Sequence, residues 1–327
     1  MPYPSTLVFN AGVCKYQGRY AMVFRNDFGR WGDPTFDGTN LGLAFSNDGV
    51  AWRVEPEPCI DLARAVSLVA EVYPDRNAEE ELLRFYDPRL TVLEGRVAMC
   101  FAVDTVHGIR GGIAWTDDFA AWEVVHLTVP DNRNMVLFPE RIGGDFVRLE
   151  RPFNNYAGHP AMRPGALGMW TSRSSDLRRW GDSRLVLTPR DVGSSCDKLG
   201  PGAPPIATDR GWLCAIHVVH VDPARGKNGW EDRWTKTYDA RMVLLDRDDP
   251  SRVIGVGRAP LLSPEASYET GAGLLDADQG FRHDVIFPGG LIAEDDGSVK
   301  LFYGAADTVE CLAMAALDDL LVAIQPV

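Results

Sequence analysis

One pattern recurs five times along the chain and constrains the fold more than anything else in it. An apolar strand is followed by a polar or Gly turn, a second apolar strand and a polar exit. The copies are VFNAGVCKYQGRYAMVFRND, YDPRLTVLEGRVAMCFAVD, VLFPERIGGDFVRLERPF, GAPPIATDRGWLCAIHVVH and DVIFPGGLIAEDDGSVKLFYGAAD. A further pair of strands is expected after each: LGLAFSNDGVAWRV, GGIAWTDDFAAWEV, LGMWTSRSSDLRRWGD, ARMVLLDRDDPSRVIGV and CLAMAALDDLLVAI. Three of these share an S/T-x-D segment followed closely by Trp52, Trp122 or Trp180.

Apolar alternation punctuated by turn residues every eight to twelve positions or so reads as strand. Helical periodicity is confined to the stretch from Leu62 to Val72 and to the last residues. Two hairpins per unit, with 327 residues divided over five units, give about 65 residues each. That arithmetic predicts an all-β chain folded as a single five-bladed β-propeller spanning 1–327. A single four-stranded blade cannot bury both its faces, so each must pack on its neighbours around a central channel. A β-sandwich with accidental internal similarity is the alternative.

The formal net charge is −13. Its long-range field repels nucleic acid and anionic membrane, so neither is expected as a partner. A few converging cations in a cleft still bind a small anion at short range. Cys14, Cys59, Cys100, Cys196, Cys214 and Cys311 are scattered without a C-x-x-C pair and read as buried apolar residues of a reducing compartment. The start, MPYPSTLVFN, lacks a basic and then apolar leader, and no stretch has the length of a membrane span, so a cytoplasmic location is expected.

The innermost strand of each blade lines a propeller's channel, so polar residues that interrupt the first strand of each unit should converge. These are Asn10, Asp87 with Arg89, Arg133 with Asn134, Lys198 ahead of Gly200-Pro201-Gly202, and Asp284. The ends of the second strands add Arg25, Arg151, His217 and Asp307. An isolated Asp-Pro is usually a turn cap, but Asp87 stands in this ring. Arg133 and Arg151 suit a tetrahedral oxyanion, because guanidinium forks match it geometrically. Lys198 precedes a loop whose open backbone admits a ligand. Arg89, two residues beyond Asp87, would share its strand face and either orient that carboxylate or bind sugar.

Other chemistries find little support. His217 and His220 lie three apart on a strand and face opposite ways, so they cannot jointly chelate a metal. There is no H-E-x-x-H, Walker loop, dinucleotide fingerprint or G-x-S-x-G elbow. Trp230 and Trp234, in the insertion GKNGWEDRWTKTY, could form a sugar-stacking wall.

Several blocks in order, FNAG, YDPRLT, NRNMVLFPERIGGDFVRLERP, KLGPGAPPI with GWLCAIH, YDARMVLLDRDDPSRVI, PEASYE, and VIFP with FYGAAD, resemble glycoside hydrolase family 130, the β-mannoside phosphorylases and their hydrolytic relatives. The resemblance covers nearly the whole chain and implies a five-bladed propeller. It implies Asp87 as general acid, passing its proton through a mannose hydroxyl. Arg133, Arg151, Lys198, His217 and Tyr238 would bind phosphate. Asn10, Arg25 and Asp307 would hold the mannosyl unit, with Glu269 a further sugar-site carboxylate. Departures from the family pattern are Asp284, commonly Asn in relatives, extra residues between Glu269 and Asp284, and Val218 in place of Gly. They bear on the identity of the acceptor sugar.

An inverting hydrolase needs an acid and a base that activates water. A phosphorylase dispenses with the base and needs cations to hold its nucleophile. One acid with a cationic set, Arg133, Arg151, Lys198 and His217, therefore points to phosphorolysis of a β-mannoside, β-1,4 by expectation, to α-mannose 1-phosphate. Inorganic phosphate would be co-substrate, with no further cofactor and no metal. Asp87 is expected to have its proton affinity raised by burial. A β-mannosidase on the same scaffold and a non-catalytic binding propeller are the rivals, and a homo-oligomer is possible.

Overall fold

The computed structural model describes residues 1–31, 36–72, 77–153, 167–193, 196–221, 236–271 and 282–327. Trp230 and Trp234 lie outside them. Blade one holds β1 (Leu7–Tyr16), β2 (Arg19–Trp31), β3 (Phe36–Ser46) and β4 (Arg53–Val54). Helices α1 (Leu62–Val72) and α2 (Ala78–Glu81) lead to blade two: β5 (Leu82–Leu93), β6 (Arg96–Thr105), β7 (Gly108–Thr116) and β8 (Glu123–Leu127). Blade three comprises β9 (Asn132–Leu137), β10 (Phe146–Pro152), β11 (Met169–Ser174) and β12 (Gly181–Leu187).

After α3 (Pro189–Val192), blade four is built from β13 (Cys196–Pro201), β14 (Ile206–Thr208), β15 (Gly211–Val221), β16 (Lys236–Leu245) and β17 (Val253–Gly257). After α4 (Ser267–Thr270), blade five has β18 (Ile286–Ala293), β19 (Ser298–Ala305) and β20 (Val309–Ala316). The chain then turns through α5 (Leu317–Val322) into β21 (Ile324–Pro326). This makes five sheets of a five-bladed β-propeller.

The apolar core is divided among the blade interfaces. One cluster joins Val23 and Leu43 of blade one to Leu90, Met99 and Phe101 of blade two, with Ala65 and Leu68 of α1 closing it. Others join blades two and three through Cys100, Ile113 and Leu137, and blades three and four through Val136, Leu149 and Trp212. Blades four and five meet at Leu213, Met242 and Leu301, and blades five and one at Val13, Phe24, Ile292 and Phe302.

The recurring S/T-x-D…W segment is a turn built by side chains. Asp118 accepts from the Ala120 and Ala121 N–H groups at 2.8 Å each, and Thr116 Oγ1 accepts from the Phe119 N–H at 2.8 Å. Ser46 with Asp48, and Ser174 with Asp176, repeat the arrangement. Such oxygens replace ladder partners that the backbone loses on turning. Trp122 and Trp180 then donate their indole N–H to the Phe119 and Leu177 carbonyls.

The last unit departs from the expected second strand pair. β20 has no following partner strand in its own sheet. Instead β21 pairs with β17, with Ile324 opposite Gly257 and Gln325 opposite Val256. A Cβ on Gly255 would lie 2.4 Å from Ile324 Cγ2, so only glycine admits this approach. The chain end therefore closes on blade four, and blade five meets blade one without an exchanged strand, through packed faces and bonds such as that from the Val8 N–H to the Thr308 carbonyl at 3.1 Å.

Candidate active site

Asp87-Pro88-Arg89 opens an apolar strand because the strand is bulged there. The β5–β6 ladder steps from Tyr86↔Ala102 to Arg89↔Cys100, leaving two residues on one side against one on the other. Asp87 has φ 52°, and Pro88, lacking an N–H, leaves no donor orphaned where the ladder lapses. The same device recurs around the ring. Asn10 (φ 52°) sits in the β1 bulge between Phe9 and Gly12, and Asn134 (φ 59°) where β9 slips against β10. Asp284 (φ 57°) stands just ahead of β18. Short Asn and Asp side chains tolerate this left-handed backbone. Asp307 (φ 49°) shares a two-residue left-handed turn with Ala306 between β19 and β20.

The structure joins the predicted residues into two connected groups. In the first, Asn10 Nδ2 donates to Asp87 Oδ1 at 3.1 Å, and Arg25 NH1 lies 3.6 Å from the same oxygen. Arg25 is aimed by Asp27, to which it donates from Nε at 3.0 Å and NH2 at 2.6 Å. Arg282 NH1 lies 3.5 Å from Asp307 Oδ2.

In the second group, Arg151 NH1 donates to His217 Nε2 at 2.8 Å, and Asn134 Nδ2 lies 3.2 Å from that nitrogen. The Tyr238 ring stacks near His217 at 6.2 Å, and Lys198 Nζ lies 5.4 Å from the Tyr238 centroid. The Tyr238 N–H donates to the Asp284 carbonyl at 2.9 Å. The guanidinium groups of Arg133 and Arg151 both stand over Phe153, at 5.2 and 5.4 Å. Tyr86 bridges the two groups: the Arg25 guanidinium stands over its ring at 5.1 Å and Arg133 NH1 donates to its hydroxyl at 3.4 Å, while that hydroxyl donates to Asp104 at 2.7 Å.

Charge in this site runs differently from two of the expectations. Burial alone would raise Asp87, but Arg25, Arg89, the Asn10 amide and Arg133 outweigh it and hold the carboxyl below its usual range. Asp307 is the carboxyl that burial raises, against the pull of Arg282 and Arg25. His217 is no cation. Its burial, with Arg151 and Lys198 close by, holds it well below the ordinary histidine range. As a neutral ring receiving an arginine N–H at Nε2, it carries its proton on Nδ1.

The cations crowd one another. Burial and Arg133 bring Arg151 down to about 9. Burial, Arg151, Lys236, Arg133 and Arg282 bring Lys198 down to about 6. Buried like charges that weaken each other in this way form a site a dianion would relieve.

Two other residues bond chiefly to the protein itself. Arg89 is buried and donates to the carbonyls of Gly202 at 2.7 Å, Pro88 at 2.8 Å and Asn10 at 3.4 Å. The bulge interrupts the alternation that would set it on the face of Asp87. Glu269, expected to hold sugar, spends both oxygens on protein. Oε2 accepts from the Glu265 and Ala266 N–H groups at 2.9 Å each, and Oε1 from the Tyr303 hydroxyl at 2.7 Å. It caps α4. Asp27, Tyr86 and Phe153 are working parts that the sequence reading missed; Tyr86 and Phe153 adjoin predicted residues, and only the i, i+2 spacing on one strand hinted at Asp27. Among the described residues no group of three or more His, Cys, Asp or Glu could hold a metal ion.

Known proteins resemble this chain over nearly its whole length. The chain is 32% identical over 325 residues to the β-1,4-mannooligosaccharide phosphorylase of Ruminococcus albus, covering 96% of this chain and 84% of that one. It is 26% identical over 318 residues to a 1,2-β-oligomannan phosphorylase of Thermoanaerobacter, covering 96% and 91%. The solved β-1,2-mannobiose phosphorylase of Listeria innocua shares its fold, with TM-score 0.76, 22% identity and 97% and 92% coverage. The profile of the Glyco_hydro_130 family, described as β-1,4-mannooligosaccharide phosphorylase, matches residues 2–325. From one end to the other, then, the chain belongs to glycoside hydrolase family 130.

Proposed function

We propose that this protein is an inverting β-mannoside phosphorylase, cleaving a β-1,4 linkage with inorganic phosphate to release α-mannose 1-phosphate. The observation that carries the reading is the convergence of buried Arg151 with half-buried Arg133 and Lys198, whose charges repel one another, close to Asp87. A hydrolase, whose nucleophile is neutral water, needs a base rather than a cationic seat for it.

Phosphate held there presents one oxygen to the anomeric carbon of a mannosyl unit seated against Asn10, Arg25 and Asp307. The phosphate oxygen forms its bond to that carbon from one face as the glycosidic C–O bond breaks on the other, so configuration inverts. The leaving oxygen takes a proton that originates on Asp87, directly or through a sugar hydroxyl. The protein's own charges keep Asp87 ionised. An incoming dianion engages Arg133 and cancels part of the field that holds Asp87 down, so the carboxyl gains proton affinity as the nucleophile arrives. Acid and nucleophile are thus readied by one binding event, and positioning supplies much of the remaining acceleration. The β-1,4 assignment is supported by the description of the matching family model and by the longer alignment with the Ruminococcus albus relative, 325 residues against 269 for the 31%-identical β-1,2-mannobiose phosphorylase of Listeria innocua.

Incubating β-1,4-mannobiose with and without phosphate tests the reading. Mannose 1-phosphate formed only with phosphate is expected. Free mannose alone, at a rate indifferent to phosphate, would overturn it in favour of a mannosidase.

A further inference from the structure

A bulge leaves backbone groups without ladder partners, and unpaired buried groups are costly. At the β1 bulge two such groups belong to one peptide plane, the Asn10 carbonyl and the Ala11 N–H. Each is met from a different blade. Arg89 NH1 of blade two donates to the Asn10 carbonyl at 3.4 Å, and Glu310 Oε2 of blade five accepts from the Ala11 N–H at 3.0 Å. Glu310 stands on β20 opposite Gly304, where a Cβ would come within 2.2 Å of Asn10 Oδ1. The clamped plane therefore follows directly on the left-handed residue whose amide donates to Asp87.

We propose that Glu310 and Arg89 are positioning residues for the candidate acid. By gripping the two ends of the Asn10–Ala11 peptide, they hold the Asn10 amide on Asp87 and so set how readily Asp87 takes a proton. The proposal rests on the reading of Asp87 as acid only for its catalytic meaning.

Glu310 serves this purpose as a largely uncharged group. Burial pushes its carboxyl up to about 8, against the pull of the Ala11 N–H and Arg89. Its Oε1 is buried without a partner among the described residues. Besides Asn10, the groups acting on Asp87 are Arg25 from β2, Arg89 from β5, Arg133 from β9 and Asp307 from the β19–β20 turn. Those acting on Glu310 are Arg89 and Cys311.

The test titrates the Asp87 carboxyl by carbon-13 NMR, its signal identified by its loss in Asp87→Asn. Glu310→Leu should move the Asp87 titration upward by about half a unit to one unit, since a hydrogen bond to the ionised form is loosened. Glu310→Gln, which keeps an acceptor for the Ala11 N–H, should restore it. Asn10→Ala should give a similar shift, and Asn10→Ala with Glu310→Leu no more than either alone. If Glu310→Leu does not fold, Glu310→Asp, one methylene too short for the Ala11 N–H, carries the same expectation. An unmoved Asp87 titration, or shifts that simply add, would overturn the proposal. Because the readout is the carboxyl itself, failure to phosphorolyse mannosides would sink the proposed function and leave this result standing.

Discussion

Arg151 NH1 and His217 Nε2 lie 2.8 Å apart, and both side chains are buried, at 1% and 0% exposure. The imidazole is not a fellow cation of the arginine but its acceptor. It points one fork of a guanidinium whose Nε has no partner among the described residues. A pocket of this kind is finished by its ligand.

Replacing Arg151 with Ala removes a charged donor from that pocket. At about 1.5–3 kcal/mol for hydrogen bonds to charged groups, phosphate affinity should fall about ten- to a hundred-fold. Initial rates against phosphate concentration measure it. The apparent KM for phosphate should rise while that for mannoside changes little.

Asp87→Asn keeps the shape of the carboxyl and its contact with Asn10, but holds no transferable proton. Turnover should fall by about two to four orders of magnitude. Phosphate binding, followed by calorimetry, should persist, because Arg133, Arg151 and Lys198 are untouched.

Lys198 gives the site a proton linkage of definite sign. With its ammonium held down to about 6, it is mostly neutral at pH 7 in the empty site. A bound dianion restores the charged form. Binding of sulfate, which does not itself titrate near neutrality, should therefore take up close to ~1 proton at pH 7. Calorimetry in two buffers of different ionisation enthalpy measures the uptake, and Lys198→Met should abolish it. The same shift acts on stability. From about pH 6 up to the ordinary lysine range the unfolded chain binds more protons than the folded one. The ligand-free protein should gain stability as pH rises through that window, and Lys198→Met should flatten the gain.

Glu269→Ala tests a structural assignment. Two N–H groups at the start of α4 and the Tyr303 hydroxyl lose their acceptor. The expected cost is about 1–3 kcal/mol, read as a lower urea midpoint with unchanged slope.

Strand alternation and the recurring turns made the propeller legible, since each blade repeats the same physical solution. The S/T-x-D…W segments were readable because side-chain turn capping is local. Asp87, Arg133, Arg151, Lys198 and His217 were placed by motifs at fixed points of the repeat. What pattern could not deliver was charge state. His217 looks like a cation until its burial and the guanidinium beside it are known. Asp87 looks raised until its four partners are counted against its burial. Glu269 sat in a matching motif, yet its partners are the Tyr303 hydroxyl and backbone groups four and three residues before it, a cap that a family resemblance does not reveal. The path of β21 to blade four depends on Gly255 making room, a contact between residues 255 and 324 that no local rule anticipates.

Blade five and blade one exchange no strand, so the circle is fastened where their faces touch. There a Cβ on Gly289 would lie 1.9 Å from the Ala11 carbonyl, and one on Gly304 2.9 Å from the Asn10 nitrogen. The seam of the ring and the mount of its candidate acid are one and the same piece of backbone. Neither can be slackened or tightened by substitution without retuning the other.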